Sequence, residues 1–196
     1  MENKELNTFL PLWICPNLAW IKQYIDCEKP SIVNEKSFPK QTFRNHLDYG
    51  TFQGIKSFSV PLIKESRIGD YQNVRIDYST NWDKQFFNAL KTSYNKSPFF
   101  EYYDYQIEAI LKEKNIHLWD LNLAFLNLIL KALRISKTYS IEESSSLIIE
   151  QPKDIPLLHY YQVFEDKQPF LPNLSALDLV FNEGINAPDI LKKLLF

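Results

Sequence analysis

Residues 74–94 read VRIDYSTNWDKQFFNALKTSY, and the hydrophobic period changes within this stretch. In Val74 to Tyr78 apolar and polar side chains alternate, which is typical of a β-strand. From Asn81 onward, a residue suited to a helix N-cap, the apolar side chains recur at helical spacing. They are Phe86, Phe87, Leu90 and Tyr94. The stretch therefore predicts a strand that leads into a helix, a combination found in α/β folds.

The segments before this stretch favour strands, and those after it favour helices. The predicted strands are Thr8 to Cys15, Ser31 to Glu35 and Ile55 to Ile63, with one amphipathic helix at Leu18 to Ile25. The later helices are Ser97-Pro98 to about Lys114, Leu118 to Ile135, and Ala187 to Leu195, with short strands at Lys137 to Ser140 and Leu147 to Glu150. We expect an α/β protein with a mixed sheet in the N-terminal half and a helix-rich C-terminal half, forming a single domain over residues 1–196.

The C-terminal region carries signals of its own. Tyr160 to Phe164 predicts a strand. Ser175 with Asp178 three residues later resembles a capping box at the start of a helix, and Gly184 occupies the place of a C-terminal cap. Helix capping therefore accounts for both Ser175 and Asp178 without any functional role.

Composition excludes several classes of protein. The chain has 196 residues, 22 basic against 24 acidic, and a formal net charge of -2, with no basic block, so nucleic acid is not an expected partner. The most apolar segment, Leu118 to Leu133, is interrupted by polar residues and is too short for a membrane span. The cysteines Cys15 and Cys27 are expected to be free thiols. These features, with no signal peptide, predict a cytoplasmic protein.

Several common chemistries lack their motifs. The four glycines do not form a phosphate-binding loop, and no serine has the glycine context of a nucleophile elbow. The three histidines, His46, His117 and His159, have no partner at metal-ligand spacing, so no metal site is predicted. The sequence names no cofactor.

The densest polar cluster is KQTFRNH, Lys40 to His46. If it is extended, Lys40, Arg44 and His46 share one face, which is then cationic. Arg44 could bind a carboxylate or phosphate through two hydrogen bonds, and His46 could act as a base near neutral pH. The alternative is a solvated edge strand whose charges discourage aggregation.

A second cluster, Arg75 to Trp82, lies where a predicted strand meets a helix, a common ligand position in α/β sheets. Arg75 and Asp77 could simply pair with each other. Trp82 could stack on a sugar or base, although core packing is the more common role for such a residue. The aromatic run Pro98 to Tyr105 likewise favours helix packing over a ligand cage.

Taken together, these segments resemble the WbqC-like protein family, and within it a Bacteroidetes branch. The similar stretches, in family order, are KQTFRN (Lys40 to Asn45), VRIDYSTNW (Val74 to Trp82), SYNKSPFFEYY (Ser93 to Tyr103), LWDLN (Leu118 to Asn122) and YQVFEDKQPFLPNLSALDLVFNEG (Tyr161 to Gly184). The resemblance implies a cytoplasmic protein of O-antigen and lipopolysaccharide biosynthesis that modifies an amino sugar.

The resemblance supports two hypotheses. The first is a transferase-like enzyme acting on a nucleotide-activated or amino sugar: Lys40 and Arg44 hold the anion, Trp82 stacks on a ring, and Asn45, His46 and Asp77 orient polar groups. His46 and Asp77 are its catalytic candidates. The second is a non-catalytic binding or scaffold protein, favoured because Phe86-Phe87 replaces a His-Trp pair and His46 an arginine of the family pattern.

Overall fold

The computed structural model describes residues 9–39, 42–144 and 159–195, and in these ranges it contains five strands and six α-helices. The strands are β1 (Phe9–Pro11), β2 (Ser31–Glu35), β3 (His46–Thr51), β4 (Gly54–Ser59) and β5 (Ser140–Ser144). The helices are α1 (Leu18–Asp26), α2 (Trp82–Tyr94), α3 (Phe100–Lys112), α4 (Leu118–Ala132), α5 (Ala176–Glu183) and α6 (Ala187–Leu195). The expected α/β fold class, with sheet mainly in the N-terminal half and helices in the C-terminal half, is confirmed.

The parallel and antiparallel strands lie in two separate sheets. One sheet is parallel, with the order β1-β2-β5 and the registers Phe9 with Ser31 and Ser31 with Ser140. Helix α1 connects β1 to β2, and its N-cap Asn17 accepts a hydrogen bond from the Trp20 N–H at 3.0 Å. The strand predicted at Lys137 to Ser140 begins only at Ser140, and the one predicted at Leu147 to Glu150 lies outside the described residues.

The second sheet is the antiparallel hairpin of β3 and β4, in which His46 pairs with Ser59 and Thr51 with Gly54. Gly54 has a φ of 107°, which suits glycine in the connecting turn. The extended conformation considered for Lys40 to His46 is not found, because Phe43 to Asn45 form a turn and β3 starts at His46, while Lys40 and Gln41 lie outside the described residues. The turn is closed by a hydrogen bond from the Asn45 N–H to the Thr42 carbonyl.

The strand expected at Val74 to Tyr78 is also absent as a regular element. Arg75 and Ile76 form only isolated bridges, with His117 and Leu62 respectively. The Asp77 N–H donates to the Pro61 carbonyl at 2.9 Å. The segment is extended, but its neighbours are loops that pair with it for one residue at a time, so no sheet can continue.

The helices follow the apolar pattern closely. Helix α2 begins at Trp82 as expected, and α4 buries one apolar side in the core. Helix α3 begins at Phe100 rather than at Pro98, and the Ser97 hydroxyl donates to the Asn182 amide oxygen at 3.1 Å instead of capping α3. Helix α5 has Ser175 as N-cap and Gly184 as C-cap, in agreement with the sequence. Cys15 and Cys27 are both buried, and no disulfide bond joins them.

Asp178 has a different role from the expected capping box. Its side chain is buried, and its Oδ2 accepts hydrogen bonds from the Tyr160 hydroxyl at 2.7 Å and the Gln162 amide at 2.9 Å. Tyr160 to Phe164 does not form a strand, because these side-chain bonds to α5 replace a ladder. The predicted strand is therefore wrong, and so is the capping role expected for Asp178, whereas Ser175 does cap α5.

Burial raises the pKa of Asp178 from 3.8 to about 6. A carboxyl group with a raised folded-state pKa contributes stability below its unfolded pKa and loses that contribution as the pH rises through about 6. We expect Asp178→Asn to remove this dependence. The free energy of unfolding of the variant minus that of the wild type should therefore rise by roughly 1.4 kcal/mol between pH 5 and pH 8. Urea unfolding at both pH values measures it.

The control is Asp166→Asn, which changes an exposed carboxylate in the nearby loop. Its difference from the wild type should be the same at both pH values. If the difference in free energy of unfolding between Asp178→Asn and the wild type is also the same at both pH values, Asp178 does not titrate in this range.

Candidate functional site

The β3–β4 hairpin places four polar side chains on one face. His46 pairs with Ser59 and Asp48 with Ser57 across the two strands, and residues two apart on a strand point to the same side. The other face carries Leu47 and the partly buried Phe58, which pack against the core. We call His46, Asp48, Ser57 and Ser59 the polar quartet.

The orientation of His46 follows from its contacts. Its Nδ1 lies 3.0 Å from the Thr42 carbonyl oxygen, which can only accept, so Nδ1 carries the hydrogen when the ring is neutral. The ring stacks on Phe43 with centroids 4.5 Å apart. Its Nε2 is 4.0 Å from Asp48 Oδ1, beyond hydrogen-bond distance. Nε2 therefore has a lone pair available to accept a proton.

Asp48 connects the two strands of the quartet. The Ser57 hydroxyl donates a hydrogen bond to Asp48 Oδ1, the same oxygen that faces His46. The quartet thus sets the available Nε2 of His46 beside the Asp48 carboxylate, which the Ser57 hydroxyl holds in place.

A pocket of about 820 Å³ opens over this face of the hairpin, and we call it the hairpin pocket. Its lining residues are Phe38, Asn45, His46, Ser57, Ser59, Lys64, Glu65, Arg67 and Ile68. Lys64 and Arg67 are exposed, and neither forms an ion pair within residues 9–39, 42–144 and 159–195. The two unpaired cations outnumber the one carboxylate of the lining, Glu65, and this favours an anionic ligand. Phe38 and Ile68 supply apolar contact.

The predicted site residues divide between the pocket and other places. Asn45 and His46 line the hairpin pocket, and the Asn45 amide also donates to the Val60 carbonyl at 3.1 Å. Lys40 lies outside the described residues. Lys64 and Arg67 were missed, because only the short 3-10 helix at Lys64–Arg67 brings them opposite the hairpin. The alternation His46-x-Asp48 and Ser57-x-Ser59 was the available signal for the quartet.

Arg44 is fully buried and does not line the hairpin pocket. Its Nε donates to Glu35 Oε2 at 2.5 Å, and its Nη2 forms an ion pair with the same oxygen. Burial raises the pKa of Glu35 although Arg44 opposes the shift. The Arg44 carbonyl accepts a hydrogen bond from the Asn122 amide at 2.6 Å. Arg44 therefore fastens the turn before β3 to the end of β2 and to α4.

Trp82 and Asp77 lie outside the hairpin pocket. Trp82 is buried among Tyr78 and Phe86, with ring centroids at 5.6 and 6.4 Å. The Asp77 carboxylate accepts the Ser79 N–H at 2.8 Å, and hydrogen bonds from Ser79 hold its pKa below the usual value. The structure thus brings together Asn45 and His46, but not Arg44, Asp77 or Trp82.

The described residues contain no group of three His, Cys, Asp or Glu side chains that could hold a metal ion. Within the same ranges, no helix combines the length and the apolar character that a membrane crossing requires. The polar groups that line the hairpin pocket are two cations, one carboxylate, two hydroxyls, one amide and one imidazole, from Lys64, Arg67, Glu65, Ser57, Ser59, Asn45 and His46.

Fold and site define an α/β protein with a cationic pocket beside a histidine. The chain belongs to the WbqC-like protein family, whose model matches residues 13–159. It is similar to the uncharacterized protein Rv1507c of Mycobacterium tuberculosis. The two are 25% identical over an alignment 216 residues long, which covers 89% of this chain and 90% of the relative. No solved structure matches. The expected family is confirmed, and the Bacteroidetes branch stays a prediction.

Proposed function

We propose that this chain is a cytoplasmic, transferase-like enzyme of O-antigen and lipopolysaccharide biosynthesis, which binds a nucleotide-activated or amino sugar in the hairpin pocket. The observation that carries the proposal is the placement of two unpaired cations, Lys64 and Arg67, in one pocket with the available Nε2 of His46. The family resemblance supplies the sugar class. The proposal needs neither a metal nor a bound cofactor.

Each group has a defined task in this proposal. Lys64 and Arg67 bind the phosphate oxygens of the sugar nucleotide through charge-assisted hydrogen bonds. His46 Nε2 takes a proton from the attacking hydroxyl or amine as general base, with Asp48 beside the ring. The attacking atom bonds to the anomeric carbon of the sugar, the bond from that carbon to the diphosphate breaks, and the nucleoside diphosphate leaves while Lys64 and Arg67 hold its phosphates. The Ser59 hydroxyl, which has no hydrogen-bond partner in the described residues, can bind a sugar hydroxyl. Asn45 supports the pocket wall.

We expect UDP-N-acetylglucosamine to raise the thermal stability of the protein, since a ligand at about 100 times its Kd contributes roughly 2.7 kcal/mol. Arg67→Ala and Lys64→Ala should each weaken binding about tenfold, because each removes a charge-assisted hydrogen bond of about 1.5 kcal/mol. Lys84→Ala, at an exposed position on α2 outside the hairpin pocket, is the matched control and should bind like the wild type. Equal binding by all four proteins would contradict a site in the hairpin pocket.

A non-catalytic binding protein is the second candidate, because Arg44, Asp77 and Trp82 do not converge on the pocket. Phe86 no longer favours it: this ring packs on Phe58 and Phe125, on the side of the hairpin away from His46. The two candidates differ in the effect of His46→Ala. With an amino sugar present as acceptor, wild-type enzyme releases UDP from UDP-N-acetylglucosamine, and His46→Ala loses this release while retaining affinity. A binding protein releases no UDP even as the wild type.

A further inference from the structure

A second pocket of about 630 Å³ lies between α2, the β3–β4 hairpin and residues 163–167, and we call it the α2 pocket. Tyr49 and Lys56 pair with each other across the hairpin, and both line this pocket. They alternate along their strands with the polar quartet, so they lie on the opposite face of the hairpin. A ligand in the α2 pocket is therefore on the other side of the hairpin from His46.

The α2 side of this pocket is a stripe of uncharged polar side chains. Gln85, Asn88, Thr92 and Asn95 follow one another three or four residues apart, so they share one face of the helix and its C-cap. None of these four side chains forms a hydrogen bond with another described residue. Amides and hydroxyls both donate and accept hydrogen bonds, as the hydroxyls of a sugar do. The stripe is about 15 Å long, which suits several linked sugars better than one.

Three lysines from three separate elements surround the stripe. Lys56 lies on β4, Lys96 follows α2, and Lys167 lies in the segment before α5. None of the three forms an ion pair within the described ranges, and they outnumber the carboxylate of the lining, Asp166. Unpaired ammonium groups favour an anionic ligand. Because the lysines are spread over separate elements, acidic groups repeated along a chain suit them better than a single phosphate.

Aromatic side chains fix the shape of the α2 pocket. The Phe164 ring lies directly on Gly50, where a Cβ would overlap it, so glycine is needed for this close approach. Phe52 is 58% exposed, and the Gln168 amide donates to its carbonyl at 2.8 Å. This bond ties the hairpin turn to the C-terminal wall of the pocket. Phe52 therefore offers an apolar surface, in a defined place, to the C–H groups of a ligand.

We propose that the α2 pocket binds an acidic oligosaccharide, whose sugar units carry carboxylates, at a site separate from the proposed reaction. The lysines pair with the carboxylates, the stripe on α2 binds the sugar hydroxyls, and Phe52 contacts the C–H groups. A neutral oligosaccharide would leave the three ammonium groups without partners. A nucleotide presents too few hydroxyls for the stripe. This binding does not depend on the sugar transfer proposed for the hairpin pocket.

Isothermal titration calorimetry with tetragalacturonate and with a hyaluronan tetrasaccharide tests the class of ligand. At least one of them should bind the wild type with a Kd below about 1 mM. Fully methyl-esterified tetragalacturonate keeps the sugar chain without its charge, and it should bind at least about tenfold more weakly than tetragalacturonate. Failure of both acidic oligosaccharides to bind, or equal binding of the ester, would overturn the proposal. Binding of ATP alone would make the pocket a nucleotide site instead.

Substitutions in the lining locate the bound oligosaccharide. Lys56→Ala, Lys96→Ala and Lys167→Ala should each weaken its binding about tenfold, because each removes a charged hydrogen-bond donor. Asn88→Ala should weaken it about threefold through the loss of neutral hydrogen bonds. All four side chains are exposed, so the circular dichroism spectra should not change.

Two further variants separate this site from the hairpin pocket. Lys84→Ala, at an exposed position of α2 that lines neither pocket, is the matched control and should bind the oligosaccharide like the wild type. Lys64→Ala removes a cation from the hairpin pocket and should also leave this binding unchanged. If Lys64→Ala weakens binding while the lysine variants of the α2 pocket do not, the oligosaccharide occupies the hairpin pocket, and the proposal is wrong.

Discussion

Arg44→Met should lower the free energy of unfolding by about 3–5 kcal/mol, the range observed when one partner of a buried ion pair is removed. Arg44 is 0% exposed and donates from Nε to Glu35 Oε2 at 2.5 Å. Without the guanidinium, the Glu35 carboxylate stays in a mostly buried place with no compensating charge. Chemical denaturation of the wild type and the variant measures the loss.

The pH dependence of this loss has a definite sign. Burial already raises the pKa of Glu35 while Arg44 opposes the shift, so the variant should raise that pKa further. A raised carboxyl pKa means that stability is lost as the pH rises through it. The destabilisation by Arg44→Met should therefore be larger at pH 8 than at pH 5.

Two further proteins isolate the ion pair. Arg44→Met with Glu35→Gln removes both charges and should recover part of the stability, because no uncompensated charge remains. Lys112→Met breaks the exposed i,i+4 pair of Lys112 with Glu108 and should cost only about 0.3–0.5 kcal/mol. If Arg44→Met costs no more than Lys112→Met, the buried pair does not anchor the turn before β3.

Gly184→Ala should destabilise the protein by about 3 kcal/mol through two separate effects. Gly184 has a φ of 49° and a ψ of -116°, a backbone conformation that costs a residue with a side chain about 1–3 kcal/mol. The new methyl group would also lie 2.2 Å from Phe99 Cγ, so the Phe99 ring must move, and overpacking adds about 1–3 kcal/mol. Urea unfolding monitored by circular dichroism measures the sum.

Gly69→Ala separates these effects. Gly69 has a φ of 107°, but a Cβ there would have no atom within 4 Å, so only backbone strain applies. We expect Gly184→Ala to cost clearly more than Gly69→Ala, and Phe99→Leu to relieve part of the extra cost. Equal losses at the two glycines would show that contact with Phe99 plays no part.

Local signals account for the parts of the candidate site that the sequence predicted. Asn45 and His46 stood out because polar residues were concentrated there, and both line the hairpin pocket. An extended segment would have placed Arg44 on the same face as His46, but Phe43 to Asn45 form a turn, and Arg44 is buried instead. Lys64 and Arg67 carried no local signal. Their position depends on a loop that folds back over a hairpin, which no periodicity encodes.

The sequence by itself determined the helices, the strand at Ser31 to Glu35, the caps Ser175 and Gly184, and the family, since these depend on periodicity and on residues a few positions apart. Only the tertiary structure decided that Arg44 and Asp178 are buried, because their partners Glu35, Tyr160 and Gln162 lie 9 to 18 residues away. It also decided that Tyr102 and Tyr105 stay exposed. Amphipathic spacing predicts which side of a helix is apolar, but the neighbouring elements determine how much of that side is covered.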